Sequence, residues 1–464
     1  MEVLTDTNMD TMSGVEIIGK KVTVLGAARS GIAVAELLMS KGAKVFVSDN
    51  GSREKLMSGI SRLASLGIAY EIGQHTDRAL DADIIVVSPG IFSTIPFLKD
   101  AQHRRLRIVS ELEIASWFCL APIIAVTGTN GKTTTTALIG RLMHDARKHS
   151  IIGGNIGTAF SSLVDELDTE SVAVLEVSSF QLEQIEQFHP TVSAILNITP
   201  DHLDRYEGSI EKYTAAKCRI FENQEKDDVL IYSNDDAGAQ HAIAQHPTTA
   251  RRLAFGIERT FDNGAYIENG MMVTMIDNRR SEIIETDHIS IRGIHNLYNS
   301  MAATLAALSM DVNVPSIRAT LKNFKGVEHR LEFVREWNGI TYVNDSKATN
   351  VDSVWYALQS FTQPIVLLLG GRDKGNDYAR LSDLVRSNVR AIVAIGESTE
   401  KILSAFSHIK SVCVAQSMEE AVRTATQLAM TGDVVLLSPA CASFDWFENY
   451  EHRGKVFKEI VGKL

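Results

Sequence analysis

A chain of 464 residues is too long for one hydrophobic core, so two to four domains are expected. Its 45% hydrophobic and 22% charged residues suit a globular protein, and no run approaches the roughly 18 apolar residues of a membrane span. A net charge of −11 argues against a nucleic-acid partner held by phosphate neutralisation and leaves any anionic ligand to local positive groups.

The stretch Met1 to Gly14 is polar and acidic, lacks a basic-then-apolar leader pattern, and reads as a short disordered tail. A first α/β block follows: strand Lys21–Leu25, a loop to Gly31, a helix to about Ser40, and strand Ala43–Val47 ending at Asp49. Strand Asp83–Val87 then runs into the turn Ser88-Pro89-Gly90. The loop Gly26-Ala27-Ala28-Arg29-Ser30-Gly31 stands where a dinucleotide fingerprint would, with Asp49 as its acidic residue. The Cβ of Ala28 obstructs the close pyrophosphate approach of the NAD mode, so NAD, another nucleotide-like ligand and a plain tight turn all stay open.

The second block begins near Leu112. Its apolar run Pro122-Ile-Ile-Ala125 leads into Val126-Thr-Gly-Thr-Asn-Gly-Lys-Thr133, and a helix with Leu138, Ile139, Leu142 and Met143 on one face follows. A buried strand, a glycine-containing loop closed by Lys-Thr, and a helix form a phosphate cradle, with Lys132 toward the β/γ-phosphates and Thr133 toward Mg²⁺. Strand Val172–Leu175 ends at Glu176, which reads either as a Mg²⁺ ligand or as a helix-capping acid near Ser178. Strand Ser193–Leu196 ends at Asn197, and Thr199-Pro200 reads as the N-cap and first residue of a helix. Beyond it, His202 beside Asp201 is a metal ligand or a structural histidine. On composition, Lys217 is a solvated helix lysine. Short alternating runs from about Ala250 to Arg292 read as β-structure broken at Asp262-Asn263-Gly264 and Asp277-Asn278, and the helix Leu297–Leu308, apolar nearly all round, should be buried.

The third block starts after Gly326, with strands Thr341–Val343, Ile365–Leu369, Ala391–Ile395 and Val434–Leu437. Their ends carry Asn344-Asp345-Ser346-Lys347, Gly370-Gly371-Arg372, Gly396 and Ser438-Pro439-Ala440, where an open parallel sheet places its ligand crevice. Arg330 is a phosphate clamp or one side of a surface ion pair. The cysteines Cys119, Cys218, Cys413 and Cys441 are far apart without a Cys-x-x-Cys pair, which argues against a disulfide framework or zinc knuckle and fits a reducing cytoplasm.

Taken together, these stretches resemble the Mur ligases of peptidoglycan synthesis. The resemblance rests on Gly128-Thr-Asn-Gly-Lys-Thr133, Glu176, Asn197 with Asp201-His202, Gly293-Ile-His-Asn-Leu-Tyr-Asn299 and Glu328-His-Arg330. It is strengthened by Leu175-Glu-Val-Ser-Ser-Phe-Gln-Leu-Glu183, Asn344-Asp-Ser-Lys-Ala-Thr-Asn350 and Ser438-Pro-Ala-Cys-Ala-Ser-Phe-Asp445. It implies three α/β domains: a Rossmann-like uridine-diphosphate-substrate domain over 1–111, a P-loop-type ATP domain with an accessory β-sheet over 112–326, and a Rossmann-like amino-acid domain over 327–464. The implied enzyme is a cytoplasmic, monomeric, ATP-dependent amide ligase that adds D-glutamate to UDP-N-acetylmuramoyl-L-alanine through an acyl phosphate.

The resemblance also implies roles for residues. ATP would be held by Gly128, Thr129, Asn130, Gly131, Lys132, Thr133 and Thr134, with Asn296 and Asn299 at adenine, Arg330 and Lys347 at phosphate, and Asp345 at ribose. Two Mg²⁺ ions would be held by Thr133, Glu176, His202 and Lys217, the lysine as a carbamate. Ser30, Asp49, Asn50, Ser88, Pro89, Gly90 and Asn155 would take the uridine-diphosphate sugar, and His202, Thr349, Lys374, Ser443 and Phe444 the D-glutamate. Lys132, His202, Lys217, Arg330 and Lys347 form the catalytic set. Rival readings are another Mur ligase or a folylpolyglutamate-synthase-like ligase, an NAD-dependent oxidoreductase resting on the first loop, and a non-enzymatic P-loop switch.

Overall fold

Apolar runs of four to seven residues alternate with helices along the chain, and in the computed structural model they form three wound sheets. The structure describes residues 17–155, 157–373 and 375–464, so the tail expected over Met1 to Gly14 and the D-glutamate candidate Lys374 lie outside the described residues. The first sheet contains β1 (Lys21–Leu25), β2 (Lys44–Asp49), β3 (Ala69–Ile72), β4 (Ile84–Val87) and β5 (Arg107–Ser110), all parallel, in the order β3-β2-β1-β4-β5. Leu25 pairs with Val87 across β1 and β4, where the winding reverses, so the first loop faces the Ser88-Pro89-Gly90 turn at the switch point.

The second sheet has nine strands: β6 (Ile123–Thr127), β7 (Ser150–Gly154), β8 (Val172–Glu176), β9 (Val192–Ile195), β10 (Val229–Ser233), β11 (Arg251–Phe255), β12 (Gly264–Glu268), β13 (Met271–Ile276) and β14 (Arg279–Glu285). Their order is β14-β13-β12-β11-β10-β9-β6-β8-β7, parallel except for the antiparallel β12-β13-β14 meander. That meander closes with the two-residue turns Asn269-Gly270 and Asp277-Asn278, and all four residues have positive φ, the geometry whose twist suits a tight hairpin. Every residue of β6 and β8 is buried, as a central parallel pair requires. The helix expected over Leu297–Leu308 spans Ile294–Ser309 and buries Met301, Leu305 and Ala306 completely.

The third sheet orders β15 (Glu332–Trp337), β16 (Ile340–Asn344), β17 (Ile365–Gly370), β18 (Val389–Ile395), β19 (Ser411–Val414) and β20 (Val434–Leu437) as β15-β16-β20-β17-β18-β19, with only β15 antiparallel. Because β20 lies between β16 and β17, the loops after those three strands share one edge. The chain divides into two compact units: the first runs to Thr286 and includes Asn299–Thr320, and the second comprises Asp287–Tyr298 and Leu321–Leu464. Among the described residues, no helix is long and apolar enough to cross a membrane.

Candidate functional site

The phosphate loop is held rigidly by its neighbours in the first unit. Val126 pairs with Glu176 on β8 and Thr127 with Ile195 on β9, so the ends of three adjacent strands converge on Gly128–Thr133. Asn197 grips Asn130 from both sides: its Oδ1 accepts from the Asn130 N–H at 2.8 Å and its Nδ2 donates to the Asn130 carbonyl at 3.0 Å. Gly131, at φ 87°, leads into the helix Lys132–Asp145, and a Cβ there would collide with Asn299 Oδ1. Lys132 Nζ donates to the carbonyls of Gly128 and Thr129, at 2.8 Å each.

Glu176 is 2% exposed at the end of β8. Its Oε1 accepts from Asn155 Nδ2 at 3.0 Å, while Oε2 is buried with no hydrogen-bond partner among the described residues. The capping alternative fails, because Ser178 and Gln181 form a reciprocal capping box at the helix Ser179–Leu182. A buried carboxylate oxygen without a donor is costly unless a cation or hydrogen-bond donor completes it, so this position fits a hard metal ion.

Lys217 is not a solvated lysine. It is 1% exposed in the helix Ile210–Cys218, with Nζ donating to the Gly128 carbonyl at 2.9 Å and standing 4.6 Å from the Tyr213 ring centroid. Burial, then the charge of Lys132, drives its pKa well below the ordinary lysine value, against the opposing pull of Asp201 and Glu176. The helix expected to start at Thr199-Pro200 is also absent. The Thr199 N–H and carbonyl are both engaged by Thr129 Oγ1 at 3.0 Å, and the chain instead passes through His202 (φ 51°) into a short 3-10 turn, Leu203–Tyr206. His202 packs edge-on against Phe180, with ring centroids 5.1 Å apart, and its Nε2 is 3.7 Å from Asp201.

The seven residues expected at the uridine-diphosphate side lie together. A cavity of about 410 Å³ is lined by Ser30, Asp49, Asn50, Ser88, Pro89 and Gly90 from the first sheet's edge and by Asn155 from the end of β7. Asp49 is a clamp for this edge, its Oδ2 accepting from the Ala27 N–H and its Oδ1 from the Gly51 N–H, both at 2.7 Å. Ser88 Oγ is buried without a partner among the described residues.

Arg205 ties this wall to the second sheet. It donates to the carbonyls of Pro89 (3.0 Å) and Ile91 (2.8 Å), forms a two-pronged pair with Glu183, and lies between the Phe92 and Phe180 rings. The two charged side chains are only 7% and 12% exposed. Arg205→Met should therefore cost about 3 kcal/mol, measured as a lowered denaturation midpoint, because Glu183 stays buried and unpaired. The double variant Arg205→Met/Glu183→Leu should recover most of that loss, and no recovery would show that the contacts to Pro89 and Ile91 dominate.

In the second unit, Arg330 Nε is buried without a hydrogen-bond partner among the described residues, and the Arg330 charge adds to burial in lowering the His295 pKa to about 3. Burial raises the Asp345 pKa to about 7, with Arg330 and the Ser438 hydroxyl (2.8 Å from Oδ2) opposing that rise. Lys347 Nζ stands 5.2 Å from the Tyr450 ring centroid. Asn296 is buried and donates to the Arg292 carbonyl at 2.8 Å. The loops after β17 and β20 meet through reciprocal Arg372–Ala442 hydrogen bonds, which place Ser443, 2% exposed, beside Phe444, 60% exposed. Thr349 is half-buried ahead of the Asn350-capped helix Val351–Gln359.

Family models match three consecutive stretches: the Mur ligase MurD-like N-terminal domain over residues 20–110, the Mur ligase middle domain over 126–307, and the Mur ligase glutamate ligase domain over 329–441. A protein named UDP-N-acetylmuramoylalanine--D-glutamate ligase from Chloroherpeton thalassium is 47% identical, with 98% of this chain and 100% of the relative covered. The chain belongs to the Mur ligase family. A relative of the same name from Salinibacter ruber is 46% identical over 97% of this chain and 99% of its own length. The fold is shared more widely: a pseudomurein peptide ligase type C from Methanothermus fervidus has a TM-score of 0.61 at 19% identity, covering 96% of this chain and all of that one (100%).

Several residues that shape this Mur ligase's edges carry no signal in the sequence. Arg205 joins segments more than a hundred residues apart, and His75 lines the first cavity from the end of β3. Arg453, 1% exposed, donates to the carbonyls of Ser346 (2.8 Å) and Cys441 (3.1 Å), binding the Asp345–Lys347 loop to the Ser438–Ser443 loop. Only the long-range pairing of loops reveals them.

Proposed function

We propose that this chain is an ATP-dependent ligase that joins D-glutamate to UDP-N-acetylmuramoyl-L-alanine. The observation that carries the ATP chemistry is the buried, unpartnered Glu176 oxygen at the end of a strand paired with the phosphate-loop strand, beside the buried Lys217 amine. The choice of substrates is supported by the names of relatives 46% and 47% identical across nearly the whole chain.

Lys132 and the loop amides from Gly128 to Thr134 hold the nucleotide phosphates, and Asn197 fixes the loop shape for them. Thr133, Glu176, His202 and Lys217 as a carbamate would hold two Mg²⁺ ions, which when bound neutralise charge on the phosphate oxygens. Asn296 and Asn299 take adenine, Asp345 the ribose, and Arg330 and Lys347 the transferred phosphate. An oxygen of the alanyl carboxylate attacks the γ-phosphorus of ATP, the bond to the ADP oxygen breaks, and an acyl phosphate forms. The neutral amine of D-glutamate then attacks the acyl carbon. The tetrahedral intermediate expels inorganic phosphate, and the nitrogen gives up a proton to leave the amide. Thr349, Lys374, Ser443 and Phe444, with His202, hold the D-glutamate; Ser30, Asp49, Asn50, Ser88, Pro89, Gly90 and Asn155 hold the uridine-diphosphate sugar. In this reading residues 1–111, 112–326 and 327–464 serve those three ligand groups in turn.

ADP release with UDP-N-acetylmuramoyl-L-alanine, measured separately with D-glutamate, L-glutamate, meso-diaminopimelate and L-lysine, tests this directly. D-Glutamate alone should support turnover. Preference for another amino acid would move the chain to a different branch of the family, and ADP release independent of any amino acid would favour a P-loop switch.

A further inference from the structure

His75, which lines the first cavity, ends a relay with Ser48 and Glu71 in which the proton positions can be assigned by counting. Ser48 Oγ lies 2.6 Å from Glu71 Oε1 and 2.7 Å from His75 Nδ1. Glu71 also accepts from the Thr76 N–H at 2.9 Å and from the Thr76 hydroxyl. Burial pushes the Glu71 carboxyl up, but the hydrogen bonds from Ser48 and Thr76 and the nearby His75 outweigh it and hold the group below its ordinary value. Glu71 is therefore an ionised acceptor, and the single Ser48 hydroxyl hydrogen points to it. That leaves Ser48 Oγ only lone pairs for His75, so the imidazole hydrogen sits on Nδ1. Burial also keeps His75 below its ordinary pKa, against the pull of Asp49 and Glu71, so the ring is neutral and Nε2 is a bare acceptor. The opposite tautomer would need one serine hydrogen to serve two acceptors.

The order of strands locates this acceptor. Along the edge β3-β2-β1-β4, the cavity is lined by His75 after β3, Asp49 and Asn50 after β2, Ser30 after β1 and Ser88 after β4. The helix N-terminus at Arg29–Ser40 and the Ser88 hydroxyl, which has no partner among the described residues, suit an anion at β1 and β4. Its Nδ1 contact with Ser48 holds the His75 ring at the end of β2, one strand from β1 on the side away from β4. A nucleoside diphosphate with its phosphates at the switch point would direct its base to that end. We propose that His75 is a specificity residue of this cavity, its Nε2 accepting the N3–H of a uracil base. This rests on the uridine-diphosphate reading of the first block. Uracil offers that N–H between two carbonyls, whereas cytosine has a bare nitrogen at the same place, which would set two acceptors against each other.

Calorimetric binding of UDP, N3-methyl-UDP and CDP to the full chain tests the assignment. The native chain should bind UDP at least about tenfold more tightly than either analogue, a gain typical of one matched polar contact. In His75→Phe, which keeps a ring beside Phe97, that preference should fall to within about twofold. Ser48→Ala, which frees the Nδ1 proton, should give a preference between the two, and it carries the test if the phenylalanine variant fails to fold. Native discrimination against N3-methyl-UDP that survives in His75→Phe, or no discrimination in the native chain, overturns the role of His75 while leaving the uridine site intact. Native chain that binds neither UDP nor CDP overturns the uridine reading itself, and the proposal with it.

Discussion

Lys132→Ala should lower the rate of ADP and phosphate release by about 10³-fold, the scale seen when a preorganised positive group is removed from a phosphoryl-transfer site. The fold should survive, because the loop does not depend on this side chain. Asn197 clamps Asn130 through two hydrogen bonds, the Thr129 N–H donates to the Asn197 carbonyl at 2.9 Å, and Thr129 Oγ1 is engaged by Thr199. Lys132 adds two bonds to carbonyls of the loop itself, each worth about 1 kcal/mol. Phosphate release measured alongside a thermal melt separates the two effects. A large loss of rate with a melt lowered by only a few degrees, the effect of those two lost bonds, is the expected result; near-normal turnover would remove the phosphate-loop argument.

Most central strands of the three sheets are legible because they are buried on both faces and so appear as short, nearly continuous apolar runs, whereas the edge strands β3, β5, β7, β15 and β19, and β10 inside the second sheet, are missing from the sequence reading. The ends of the legible strands differ from the sequence reading by one or two residues, as for Lys44–Asp49 and Ile340–Asn344. The phosphate loop is legible for a related reason, since a glycine-bracketed turn between a buried strand and a helix has few other uses. Polar residues whose partners are distant in sequence are not legible. Thr199 before Pro200 has the local pattern of a helix start, but Thr129, seventy residues earlier (|i−j| = 70), takes both of its backbone groups. Glu176 resembles a capping acid until Gln181 is seen to occupy that role. Asp49 reads as the acidic residue of a dinucleotide fingerprint, and the sequence does not show that its two oxygens also accept the Ala27 and Gly51 N–H groups. Lys217 is the extreme case: nothing in its helix distinguishes it from a surface lysine, and its burial comes from contact with a loop 89 residues away in sequence.

Lys217→Ala is expected to be nearly inactive, with at least about 10³-fold lower ADP release, and to be partly restored by a small carboxylate such as acetate. The sign of the lysine's pKa shift matters here. Burial and the neighbouring Lys132 lower it, so at any pH near neutrality more of the amine is unprotonated than in an exposed lysine. An unprotonated amine can attack CO₂: a nitrogen–carbon bond forms, the nitrogen loses a proton, and the side chain becomes an anion with two hard oxygen donors. The same shift means the unfolded chain binds a proton that the folded chain releases, so this residue's contribution to stability rises with pH between the lowered pKa and about 10.4. Removing the amine should therefore leave stability unchanged or raise it near neutral pH, while activity collapses. Lys217→Arg, which keeps a cation and cannot form the carbamate, should be as inactive as the alanine variant without being rescued. Full activity of Lys217→Ala with no added carboxylate, or an arginine variant that works, would show that the buried amine acts as a cation or only as packing, and two metal ions would then need another anion beside Glu176.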